Sequence, residues 1–261
     1  PSAWIAIETG RHLPGLVQVS NFSESGVAYT FGEDNTIRQI KQGAFTSTVI
    51  RLPISPTSKI RALQQSADGR LLFVGIGDTR NDAAVYVINA LNNAIVFSSP
   101  QKYGIVNAQF IEEKSVLVWT TRDGTLFSID TASFQGLSSV STGIEEARVA
   151  AVPIAGTLIL VGEQRGLASY RLNAGKLEVT GSGDHPFQSI KAPWSVSAGY
   201  PSASPDGRWI ALGSNFGEMV ILSTATLSVV GRRIDKLRHM RNSYDSLYLP
   251  HTVWRSQRTL A

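Results

Sequence analysis

Four histidines stand at positions 12, 185, 239 and 251. Imidazoles hold a divalent metal when they recur at His-x-His or His-x-x-x-His spacing, because one strand or helix face then offers both nitrogens to one ion. His12, His185, His239 and His251 show neither spacing, and no carboxylate cluster accompanies them. Two acid pairs, Glu112-Glu113 and Glu145-Glu146, are the other candidates. Paired carboxylates cleave glycosidic bonds when they project from strands into one cavity; these pairs fall between apolar runs, where turns belong. The stretch GIGDTRNDA at 75–83 is glycine-rich but leads into an alternating run rather than the helix that a phosphate-cradling loop requires. No Gly-x-Ser-x-Gly elbow or Walker-type loop is present, and the absence of cysteine removes disulfides, thiolate metal sites and cysteine nucleophiles. The expectation is a protein with no catalysis, no metal and no cofactor.

Binding residues are better represented. GSGDHPFQSIKAPW, residues 181–194, is longer than its neighbours and carries His185, Phe187, Lys191 and Trp194; loops longer than an architecture needs often bind partners. The second candidate is 231–261, with Arg232, Arg233, Lys236, Arg238, Arg241, Arg255 and the aromatics Tyr244, Tyr248 and Trp254. Ile234, Leu237 and Met240 fall at helical spacing, which predicts a short basic helix over 234–242. Charge is concentrated here: residues 1–230 hold 17 Lys and Arg against 18 Asp and Glu, whereas 231–261 hold 7 against 2. Aromatics interleaved with cations suit a protein groove or, as the alternative, stacking and phosphate contacts to nucleic acid. The bland reading is a tail wrapped on its own fold.

The elements that position these segments follow from a repeat. SASPDGRWIALGSNFGEMVIL at 202–222 joins two apolar runs through turn residues, and the same grammar recurs with second-strand starts near 26, 70, 115, 156 and 208. The spacings of 44, 45, 41 and 52 match a unit of four short strands. First strands are expected at 16–22, 59–65, 104–110, 147–153 and 194–200, and fourth strands at 45–52, 93–99, 134–140, 176–181 and 227–233. The second strands are the most continuously apolar, as strands covered on both faces must be. Asp68-Gly69, Asp123-Gly124 and Asp206-Gly207 mark tight hairpins. Hydrophobic residues make up 43% and charged residues 17%, enough for a sizeable β core.

SADGRLLFVGIG, SPDGRWIALGSN and GTLFSID are similar to the first turn, second strand and third strand of WD40 repeats, and the likeness covers about residues 16–233. It departs from that family in lacking the Gly-His dipeptide and the Trp-Asp ending; the third strands end Ile88-Asn89, Ile129-Asp130, Arg171-Leu172 and Leu222-Ser223. The resemblance implies an all-β propeller of four-stranded blades, acting as a scaffold subunit in a larger assembly. Closure needs a sixth blade from AWIAIET (3–9) and SLYLPHTVW (246–254), or else the chain is part of a seven-bladed ring. The expected organisation is a propeller over 1–233 followed by a basic segment, 234–261. Two alternatives stand beside the scaffold reading: a hydrolase or lactonase with a central-funnel site, and an RNA- or DNA-associated subunit. The chain starts at Pro1 with no initiator methionine, so it reads as a processed or excised piece; no apolar run is long enough to span a bilayer, and the cysteine-free composition fits an intracellular setting, cytoplasm or nucleus. Asn21-Phe22-Ser23 matches a glycosylation acceptor, with no secretory signal beside it.

Overall fold

The computed structural model describes residues 16–19, 23, 25–32, 35–41, 44–55, 58–77, 82–152, 157–161, 166–184, 186–187, 201–213, 218–234, 254–256 and 259–260. These build five four-stranded antiparallel sheets, each a meander in chain order. The first holds β1 (Leu16–Val19), β2 (Val27–Gly32), β3 (Ile37–Lys41) and β4 (Ala44–Ile50). The second holds β5 (Ile60–Gln65), β6 (Leu71–Ile76), β7 (Ala84–Asn89) and β8 (Ala94–Pro100). The third holds β9 (Ile105–Ile111), β10 (Val116–Thr121), β11 (Thr125–Asp130) and β12 (Gly136–Ser141). The fourth holds β13 (Arg148–Val152), β14 (Thr157–Val161), β15 (Leu167–Asn173) and β16 (Lys176–Gly183). The fifth holds β17 (Ser202–Ala203), β18 (Trp209–Gly213), β19 (Glu218–Ser223) and β20 (Val229–Ile234). A two-stranded hairpin, β21 (Trp254–Ser256) and β22 (Thr259–Leu260), follows.

The strands fall where the repeat places them, with one exception. The fifth unit's first strand, expected at 194–200, is the two-residue β17 at Ser202–Ala203, and 194–200 lie outside the described residues. The closing strands expected at 3–9 and over most of 246–254 also lie outside them; of the helix expected at 234–242, Ile234 instead ends the strand β20, and 235–242 lie outside the described residues. Among the described residues the one helical element is a 3-10 turn, Glu112–Lys114.

The chain divides into two compact units, Pro1–Glu112 and Glu113–Ala261. In the first, Tyr29, Phe31, Ile37 and Ile50 of the first sheet pack on Ile60, Leu63, Leu72, Val74, Ile76 and Ile88 of the second. In the second, Ala150, Ile159 and Leu167 of the fourth sheet pack with Ile210, Leu212, Val220 and Leu222 of the fifth. A four-stranded sheet that buries apolar side chains against the next sheet is a blade that cannot hide its faces alone. Accordingly β10 is buried along its whole length, whereas β8 and β12 are exposed at alternate positions or more. The stacked rings of Trp119 and Phe127, 5.3 Å apart, form a cross-strand pair between β10 and β11.

The hairpins are clipped by one side-chain device. Ser66 Oγ donates to Asp68 Oδ1 (2.7 Å) and accepts from the Leu71 amide (2.9 Å). Ser204 repeats this with Asp206 (2.6 Å) and the Trp209 amide (3.0 Å), and Thr121 Oγ1 donates to Asp123 Oδ1 (2.6 Å). The glycine after each aspartate takes a left-handed backbone, φ 73° at Gly69, 79° at Gly124 and 69° at Gly207. At Gly124 a Cβ would also strike the Ile144 carbonyl.

A one-residue bulge recurs where the third strand meets the fourth. The extra residue is Val96 in β8, Leu137 in β12, Thr180 in β16 and Val230 in β20. A bulge turns the strand so that two successive side chains escape the buried face. Ile95 and Val96 are thus both exposed, as are Val229 and Val230.

Candidate interaction surface

Every exposed large apolar side chain among the described residues lies on a fourth strand, apart from Leu91 in the turn ahead of β8. They are Val49, Ile95, Val96, Leu137, Val179, Val229 and Val230, the last two 38% and 54% exposed. Among the described residues the exposed large apolar side chains are thus confined to the outer strands and one turn.

The fifth sheet adds charge. Glu218 opens β19 and is 1% exposed; Arg232 lies on β20 opposite Val220, which places it diagonally across from Glu218 on one face of the sheet. Arg232 Nη1 meets Glu218 Oε1 at 2.6 Å, and Nη2 donates to the Pro186 carbonyl at 3.2 Å. One guanidinium therefore ties β20 both to β19 and to the root of the 181–194 loop. Phe187, the next residue, is 1% exposed and sits in the core with Ile210, Leu212 and Leu227. Its ring is a packing residue of the fifth sheet, which corrects its expected role as a partner contact: an aromatic ring beside a Pro anchored by Arg232 gains more from the core than from water.

Arg232 and Arg233 are both exposed at the end of β20. Trp254 and Arg255 lie on β21. His185, Lys191, Trp194, Lys236, Arg238, Arg241, Tyr244 and Tyr248 lie outside the described residues.

The paired acids serve turns. Glu112 Oε1 accepts from the Ala67 amide at 2.7 Å, and Glu146, at φ 52°, pairs with Arg122 at 3.4 Å. Among the described residues, no three His, Asp or Glu side chains are grouped to hold a metal. Asp206 is held down to about 2 by the Ser204 hydroxyl first and Arg208 second. Asp130, which accepts from the Ser133 hydroxyl (2.7 Å) and amide (2.6 Å), is likewise lowered, chiefly by that hydroxyl. Burial raises Tyr29 and Tyr170, and the Gln39 hydrogen bond opposes it at Tyr29. These are the shifts of turn clips and core phenols.

No protein family's sequence profile matches the chain, and no curated protein sequence matches it. Its fold is matched by 1707 chains of solved structures, too many for the likeness to select one function. One of them, from "Crystal Structure of Mitotic Checkpoint Complex", superposes with a TM-score of 0.61 at 14% identity, over 76% of this chain. This chain spans only 58% of that one. The likeness is one of fold, and it supports a WD40-like propeller.

Proposed function

We propose that the protein is a non-catalytic WD40-like propeller of six blades, the sixth assembled from 3–9 and 246–254, which serves as a scaffold binding other protein subunits. The observation that carries this is the set of exposed apolar side chains placed on the outer strands of all five sheets, two of them adjoined by arginines on β20. A solved neighbour that comes from a multi-protein complex is consistent with it. Affinity purification of the tagged chain from its native source is expected to recover partners at fixed stoichiometry. A lone monomer with hydrolytic activity would overturn the reading.

A nucleic-acid role is the second reading, favoured by the 7-to-2 excess of basic residues in 231–261. Binding anchored on phosphates weakens steeply with salt, so oligonucleotide affinity that stays constant from low to high salt would exclude it.

A further inference from the structure

We propose that Asp68 is a site of spontaneous covalent modification, where aspartate converts to isoaspartate ahead of the chain's two other Asp-Gly positions. The inference is independent of the scaffold reading.

The sequence holds three Asp-Gly dipeptides, at 68–69, 123–124 and 206–207. Glycine exposes the aspartate before it, because an amide nitrogen on a residue with no Cβ is unhindered. In the reaction the Gly69 nitrogen attacks Cγ of the neutral Asp68 carboxyl. An N–Cγ bond forms, and the amide proton leaves with the carboxyl hydroxyl as water. Water then adds to the Asp68 backbone carbonyl carbon of the five-membered succinimide, and the bond from that carbon to the Gly69 nitrogen breaks. The chain now runs through Cγ, and the former backbone carbonyl is a free carboxylate. The water lost is regained, and nothing is oxidised or reduced.

The nucleophile is held alike at all three sites. The amides of Gly69, Gly124 and Gly207 donate to the carbonyls of Ser66, Thr121 and Ser204, each at 2.9 Å, which closes the same four-residue turn. The electrophile differs. Each aspartate accepts at Oδ1 from the hydroxyl two residues earlier, but Oδ2 separates them. Asp123 Oδ2 accepts from the Thr125 hydroxyl at 2.9 Å, and Asp206 Oδ2 from Arg208 Nε at 2.6 Å. Asp68 Oδ2 has Arg70 Nε at 3.6 Å, beyond hydrogen-bond reach. A carboxyl tied through both oxygens must break both ties to present Cγ to the next nitrogen, whereas one tied through a single oxygen swings about it. Access of water runs the same way: the Asp68 side chain is 53% exposed against 18% for Asp206, and Asp123 is half-buried. The Ser204 hydroxyl and Arg208 also keep Asp206 ionised, and a carboxylate is a poorer electrophile than the neutral acid.

The test ages the full chain for weeks in warm neutral buffer and maps isoaspartate by mass spectrometry with electron-transfer fragmentation, which distinguishes the two isomers by their backbone fragments. Synthetic peptides of residues 64–72, 119–127 and 202–210 age beside it and give the rate that each sequence sets without the fold. Divided by its peptide's rate, the level at 68 is expected to exceed those at 123 and 206 several-fold. Arg70→Thr offers Oδ2 the hydroxyl that Thr125 gives Asp123, and should lower the level at 68 several-fold. The Arg70 side chain is 74% exposed, so this variant should melt like the parent. Thr125→Val removes the second tie from Asp123 and should raise the level there by a similar factor. Equal normalised levels at the three sites, a higher level at 123 or 206, or failure of either substitution to move its site would overturn the proposal. Partner recovery is read on unaged chain, so no outcome here bears on the scaffold reading.

Discussion

Replacing Arg232 with alanine withdraws the cation from a carboxylate that is almost wholly out of water. Glu218 is 1% exposed and its partner 33% exposed, so the pair is buried at one end and wet at the other. Breaking a fully buried pair by removing one member costs about 3–5 kcal/mol. Water at the arginine end screens the pair, which brings the expected loss to about 2–3 kcal/mol, and the donor to Pro186 adds about 0.5–1.5. A total near 3 kcal/mol lowers the melting midpoint by about 6–12 °C in a chain of this size. The same geometry predicts a rescue. Glu218→Gln in the Arg232→Met background removes the stranded charge, and the double variant should be more stable than Arg232→Ala by about 1–3 kcal/mol. Thermal melts and urea curves on the parent, both single variants and the double variant measure this. An Arg232→Ala midpoint within a degree of the parent, or a double variant no better than the single, would refute the claim that this pair anchors the fifth sheet.

Other expectations follow from packing and turns. Phe187→Ala should lose about 3–5 kcal/mol, read as a shift in urea midpoint, while Phe187→Leu loses less; a neutral Phe187→Ala would contradict its place in the core. Gly124→Ala should cost about 2–4 kcal/mol because a left-handed backbone and the Ile144 carbonyl both oppose a Cβ. Gly143→Ala, at φ 70° with nothing within 4 Å of the new atom, isolates the backbone part, about 1 kcal/mol. Asp206 titrates lower in the folded chain than in the unfolded one, so its contribution is complete above about pH 4 and is lost as pH falls through about 2. The stability gap between the parent and Asp206→Asn should therefore narrow across that window, and a gap that widens would reverse the sign of the argument.

Much of the fold is written in local chemistry. The Asp-Gly pairs at 68, 123 and 206 need left-handed glycines in any context, and the apolar runs of β6, β10 and β18 need cover on both faces, so hairpins and sheet order are visible before any coordinates. Ser66, Thr121 and Ser204, each two residues ahead of its aspartate, are an equally local signal that composition alone does not flag. The candidate surface is harder to read, because its parts meet only through register. Glu218 and Arg232 are 14 positions apart and become partners only when β19 and β20 pair as they do. Phe187 looks like a loop aromatic until the fifth sheet closes over it. The doubled valines at 229–230 and the Ile95-Val96 pair break the alternation expected of a half-buried strand, and that break is the trace a bulge leaves in sequence.

The shared bulge has a bearing on how the molecule behaves at high concentration. Outer strands that display valine and isoleucine are natural seeds for fibrils, where flat, unbroken ribbons zip together along their length. An extra residue in the outer strand of four of the five sheets kinks each ribbon, leaving only short straight lengths to zip. The outer margins thus stay apolar without offering a long flat ribbon, and deleting Val230, which straightens one of them, is expected to raise fibril formation, read by thioflavin T fluorescence.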